Sequence, residues 1–321
     1  MESFYSSFEI PAFEPSIELG DGLIFMGSCF SDEMSKKAAS SGLTVFSNPF
    51  GTVFHPLSIF KSISDALTDS IEVAFCQKDD IYFHWDSSGS IYGMTPNELK
   101  EKVLASRYNL KDKLKTAKYL FLTFGTARAH YLQNLDFPVA NCHKMPRNLF
   151  VEKQSNADEI FTTFQIIHKQ LLDYNPSLQI VLTVSPVRHL RDGFIENNRS
   201  KAKLILACEQ MEKLQNVRYF PVYEWVVDSL RDYRFYKEDG VHPNALAIQF
   251  IWKKLERCLF KADTIEIMQQ VRKVEQGLTH KVLYLESRQV KKHFETVQLQ
   301  QQQLAKAYPA ICWDSILGKN H

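Results

Sequence analysis

Five short apolar runs recur along the chain: "GLIFMG" (22–27), "LTVFSN" (43–48), "AKYLFLTFG" (117–125), "LQIVLTVSP" (178–186) and "VRYFPVYE" (217–224). Each is bounded by punctuating residues and separated from the next by longer, more polar stretches. A strand that is apolar on both sides must be covered on both faces, and a parallel sheet flanked by helices does this. Helical stretches are expected from about Ser31 to Ser41, with acids in the first turn and Gly42 as its stop. Others are expected near 155–174, across 197–215 and from about Pro243 to Phe260. The pattern predicts an α/β three-layer sandwich around a parallel sheet. "IEVAFCQ", "IYFHWD" and "SIYGM" alternate with turns and predict a small β-meander inserted at about 71–95. After Phe260 a Gln-, Lys- and Glu-rich helical pattern runs to about Tyr308. Residues 1–260 therefore read as the α/β domain and 261–321 as a helical extension, packed on the domain or on a second subunit of a homo-oligomer.

Bulk properties exclude several function classes. With 45% hydrophobic and 23% charged residues the chain has ample material for a large core. A net charge of +1 leaves no electrostatic footprint for nucleic acid or an anionic membrane. The first fifteen residues carry no Lys or Arg and no apolar core of a secretory leader, and no run approaches a membrane span. Six scattered cysteines without a C-x-x-C pair read as reduced thiols in a cytoplasmic protein. His55, His84, His130 and His189 form no ligand spacing and read as satisfied or solvated side chains, so no metal is expected. His84 and Trp85 stand in the meander, where they are placed to line a cleft.

Ligands of open parallel sheets bind beyond the carboxyl ends of the strands. The loops there hold Gly27-Ser28-Cys29-Phe30, Asn48-Pro49-Phe50-Gly51, Gly125-Thr126-Ala127-Arg128, Ser185-Pro186-Val187-Arg188 and Asp239-Gly240-Val241-His242-Pro243-Asn244. The chain has 12 glycines, where average usage would give about 22. Four of them, Gly27, Gly51, Gly125 and Gly240, fall in these loops, which marks places where backbone turns sharply or meets a ligand. Asp239, three residues before His242, can accept the imidazole Nδ1 proton and fix its orientation; alternatively it caps a helix and leaves the histidine solvated. Ser28, at the turn from first strand to first helix, is either an N-cap or a nucleophile that needs a base such as His242. Cys29 is expected to face the core as a small hydrophobe.

"GSCF", "NPFGTV", "FGTARAHY", "VANCHKMP" and "DGVHPN" together resemble the GSCFA-domain family, a branch of the SGNH/GDSL hydrolase superfamily, over roughly residues 20–255. The resemblance implies a flavodoxin-like sandwich with Ser28 as nucleophile, His242 as base and Asp239 as orienter. It implies a serine esterase or acyl-transferring enzyme for small-molecule or carbohydrate acyl esters, needing no cofactor. The amides of Ser28 and Gly51 are then expected to form the oxyanion hole. The superfamily's third block is G-x-N-D, whose Asn is a further oxyanion donor; here Gly125-Thr126-Ala127-Arg128 lacks it. Its role falls to Thr126, Arg128, Asn141 or His143, unless Arg128 is merely ion-paired, Asn141 part of a turn and His143 a satisfied loop histidine. Three readings follow: an esterase, an acyltransferase with the same triad, or a binding protein whose site has decayed.

Overall fold

Side chains alternate along each central strand and so separate the molecule into layers. The computed structural model describes residues 7–133, 137–279 and 287–316. The strands of the main sheet are β1 (Gly22–Gly27), β2 (Thr44–Ser47), β3 (Ala117–Phe124), β4 (Gln179–Val184) and β5 (Val217–Tyr219). All neighbours pair in parallel, in the order β2-β1-β3-β4-β5. That is the flavodoxin-like order, whose topological switch lies between β1 and β3. Ile24, Met26, Leu120, Leu122, Ile180 and Leu182 face one core; Leu23, Phe25, Phe121 and Val181 face the other.

The covering helices are α1 (Cys29–Ser40), α2 (Pro56–Leu67), α3 (Pro96–Thr116), α4 (Ala157–Tyr174), α5 (Phe194–Met211) and α6 (Ala245–Leu259). Helices α2 to α5 close the first core with Phe60, Leu110, Phe164 and Leu204, while α1 and α6 close the second with Phe30, Met34 and Trp252. Each Leu or Phe so buried contributes about 1.5–3 kcal/mol, so these two layers hold the fold. The expected three-layer sandwich is the one observed.

Some boundaries shift. Helix α1 starts at Cys29 rather than Ser31, and α6 at Ala245, because Asn244 Oδ1 accepts the amides of Leu246 and Ala247 at 3.0 and 3.2 Å. Strand β5 stops at Tyr219, well short of Glu224, because past Phe220 the chain turns back on itself, Val222 N donating to Phe220 O at 2.8 Å, and Val222–Glu224 are helical. The meander forms as Phe75–Lys78, Ile81–His84 and Tyr92–Gly93, antiparallel. A second antiparallel ribbon, Arg128–Leu132, Pro138–Val139 and Phe150–Gln154, occupies sequence that reads as loop.

Beyond the sandwich lie α7 (Ala262–Thr279), α8 (Arg288–Ala307) and a last turn at Trp313–Ile316. Arg272 donates to Glu256 at 2.6 Å and to Ser41 at 3.0 Å, and the Cys312 amide donates to Gly42 O at 2.9 Å. These bonds seat the extension on the side of α1 and α6; its residues 280–286 and 317–321 lie outside the described residues. Among the described residues no helix is long and apolar enough to cross a membrane.

Candidate active site

The turn after β1 is built around Gly27. Its φ is +136°, and a Cβ there would stand 2.1 Å from the carbonyl oxygen of Thr123. Only glycine lets the chain leave the sheet so close to β3. Ser28 thereby becomes the N-cap residue of α1, yet its side chain makes no capping bond. Its Oγ is buried and has no hydrogen-bond partner, so the helix-cap role does not describe it. Cys29 is half-buried and packs against the second core, as expected of a small hydrophobe; burial first, then the Asp32 carboxylate, push its thiol up, leaving it protonated.

The oxyanion amides expected of Ser28 and Gly51 are both engaged within the protein. Ser28 N donates to Thr123 O at 3.1 Å, because the β1–β3 ladder runs one residue past the strand. Gly51 N donates to Asn48 O at 2.8 Å, closing the turn of residues 48–51. Asn48 stitches this corner together: its Oδ1 accepts the Gly27 amide at 2.8 Å and its Nδ2 donates to Asp32 at 2.6 Å. Sequence reasoning gave Asn48 no role, although an Asn followed by Pro, with a Gly three residues on, is a turn signal.

The last loop reconciles its two alternatives. Asp239 Oδ1 accepts the amides of Val241 (2.8 Å) and His242 (3.0 Å), while Oδ2 lies 2.7 Å from His242 Nδ1. One carboxylate oxygen thus caps the turn and the other orients the ring. The His242 and Val241 amides, then the imidazole, hold the carboxyl down to about 2. With Nδ1 donating to Asp239, Nε2 is left as the basic nitrogen. Arg188 pins the loop, its amide to Val241 O at 3.3 Å and its Nη1 to Gly240 O at 3.0 Å. The Arg188 guanidinium lies over Tyr236 (4.1 Å) and Tyr233 (5.3 Å) beside a cavity of about 210 Å³ that Arg231 and Leu230 also line. No hydrogen bond joins Ser28 Oγ to His242 in this conformation; catalytic contacts of unliganded sites are often long and tighten on binding.

The third block has other partners. Gly125 and Thr126 donate their amides to Phe54 O at 2.8 and 3.2 Å. Thr126 Oγ1 lies 3.0 Å from Ser200 Oγ and accepts the Arg128 amide. Arg128 pairs with Glu152 and approaches Glu196 (3.5 Å) and Asp192 (3.7 Å), so it is an ion-pair residue. Asn141 Oδ1 accepts the His143 amide at 2.8 Å, closing a turn. His143 is buried against Phe83, its Nε2 donating to His84 O at 2.8 Å. None of the four therefore holds a side chain free for an oxyanion except the Asn141 amide group. His84 and Trp85 are buried instead of lining a cleft; His84 Nδ1 meets Ser87 Oγ at 2.8 Å, and burial drives the ring down to about 3. His55 is likewise buried, with Nε2 on Ala127 O at 3.2 Å, and His130 packs edge-on to Phe150.

Two residues of this region carry no local sequence signal. Lys201 of α5 is 1% exposed and donates from Nζ to Gly125 O (2.6 Å) and Ser185 O (2.7 Å), tying the ends of β3 and β4 together. Burial pulls its ammonium down to about 7. His189, after β4, lies close enough to Lys201 and His242 to feel both charges.

A five-stranded parallel sheet in this order, with a serine at its switch point and an Asp–His pair on a loop pinned to the end of β4, defines a doubly wound α/β/α protein of flavodoxin-like topology. The chain belongs to the GSCFA family, whose model matches residues 22–255. No curated protein matches it. Among solved structures it is similar to a carbohydrate esterase family 3 protein from Talaromyces cellulolyticus. The identity is 11% with a TM-score of 0.35, over 78% of this chain and 98% of that one.

Proposed function

We propose that the protein is a serine esterase that cleaves a small-molecule or carbohydrate acyl ester through an acyl-enzyme on Ser28. The observation that carries this reading is the Asp239–His242 hydrogen bond, which leaves a basic Nε2, in a chain whose Ser28 hydroxyl is unpartnered. Ser28 Oγ attacks the ester carbonyl as His242 Nε2 takes its proton; collapse of the tetrahedral intermediate expels the alkoxide, which receives that proton. Water, activated by the same nitrogen, then releases the acid. Asp239 stays ionised and steadies the imidazolium. All six cysteines are free, which fits a reducing, cytoplasmic setting.

A panel of acyl esters, assayed with and without sugar acceptors, tests the reading. Hydrolysis that Ser28→Ala abolishes is the expected result. Turnover that requires an acceptor makes the protein an acyltransferase with the same residues, and silence across the panel makes it a binding protein.

A further inference from the structure

The site lacks the third-block asparagine, and the two amides expected to help it are already bonded. Several buried polar atoms at or beside that block have nothing to bond, among them His55 Nδ1, Arg128 Nε and Ser155 Oγ; of these atoms the one that lies against Gly125 is on His189. His189 Nε2 is buried and without a hydrogen-bond partner. It stands 3.2 Å from where a Cβ on Gly125 would be, and its ring meets Phe54 edge-on at 5.5 Å. Leaving a buried polar group unmatched costs about 1–3 kcal/mol, and native proteins retain few such groups.

The surroundings hold that nitrogen in place. Asn197 Oδ1 accepts the His189 amide at 2.9 Å, and Lys201 fixes the carbonyls of Gly125 and Ser185. Burial, then the charges of Lys201, His242 and Arg191, hold the His189 ring down to about 4, so it is neutral at physiological pH. A neutral imidazole carries one N–H and serves as a hydrogen-bond donor without bringing a charge into the site. The place is also right. Ser28 N bonds to Thr123 O on β3, and Gly125 follows that strand's end, so Ser28 and the Gly125 loop are adjacent across a strand spacing of about 4.8 Å.

Resting on the esterase reading above, we propose that His189 is a catalytic residue whose Nε2–H donates to the oxyanion formed when Ser28 attacks, in the role of the absent asparagine. The Ser28 Oγ–carbon bond forms, the carbonyl π pair moves to the carbonyl oxygen facing His189, and the serine proton goes to His242. No proton leaves His189. Collapse restores the carbonyl and breaks the bond to the alkoxide.

Two variants separate donation from packing. H189F keeps a flat ring against Phe54 without a donor; H189Q restores an amide donor at the reach of Nε2. We expect H189F to lower kcat by about 10²–10³-fold with KM changed by less than about threefold, and to slow fluorophosphonate labelling in the same proportion. H189Q should recover at least about tenfold of the loss. If H189F does not fold, H189A is compared with H189Q in its place. A wild-type protein that turns over esters beside an equally active H189F or H189A overturns the proposal and leaves the esterase reading standing. An H189Q no faster than the donor-free variant also overturns it. A wild-type protein that neither labels nor turns over any ester overturns the esterase reading, and this proposal with it.

Discussion

Asp239 places one carboxylate oxygen on two amides and the other on an imidazole, so the two tasks can be separated by one atom. In Asp239→Asn the amide oxygen can still cap Val241 and His242, but an NH₂ now faces His242 Nδ1 and forces the wrong tautomer. We expect kcat to fall by up to about 10⁴-fold with an unchanged melting temperature; near-normal turnover would show that another group orients the ring. Beside it, Ser28 and Cys29 differ in availability. A fluorophosphonate should label the GSCF peptide, disappear in Ser28→Ala and persist in Cys29→Ala, because the cysteine thiol is held protonated. Label that persists in Ser28→Ala would move the nucleophile to Cys29. The Asp239–His242 pair was legible because both partners sit within one turn. Asn48, His189 and Lys201 were not, since the groups they bond or approach come from loops far off in sequence.

Elements meet most tightly where β1 leaves the sheet. The atom that a Gly27 side chain would strike is the Thr123 backbone oxygen, which cannot swing aside as a side chain would. The backbone at φ +136° is also one that L residues avoid. Gly27→Ala should therefore destabilise the protein by at least about 3 kcal/mol, seen as a lower urea midpoint; a loss under about 1 kcal/mol would mean that the strands part easily at this point. Continuous apolar strands made β1 to β4 plain in the sequence. The second ribbon was hidden because its strands are short and widely spaced: Arg128–Leu132 and Phe150–Gln154 are five residues each, and Pro138–Val139 is only two. Helix α3 was missed despite its capping signal: Thr95 accepts the Glu98 amide, Glu98 accepts the Met94 amide, and Pro96 opens the helix.

Taken whole, the molecule keeps several histidines neutral in its interior. His55 and His189 are each held down to about 4 and His84 to about 3, burial being the leading cause in each case. The unfolded chain takes up these protons near pH 6.5, the folded protein only near pH 4 or below. Between those limits the unfolded state binds more protons, so stability drops as pH falls, by up to about 1.4 kcal/mol per pH unit for each histidine. Denaturant midpoints should decline from about pH 6.5 toward 4, and a His55→Gln variant should decline less steeply; identical slopes would remove His55 from the account. At this scale the layered sandwich followed from the continuous apolar runs, and the C-terminal helices from the Gln-, Lys- and Glu-rich pattern after Phe260. The way α7 and α8 lie on the sandwich did not, since it hangs on Arg272 reaching Glu256 and Ser41.

The lysine that joins the ends of β3 and β4 has a kinetic consequence. At 1% exposure its amine is out of reach of acylating reagents while the surface lysines react at once. Modification of Lys201 therefore requires the strand ends and α5 to separate, an opening drawn from the stable part of the structure rather than from a fraying loop. Peptide mapping of amine labelling over time would make Lys201 a clock for that opening, ticking independently of catalysis.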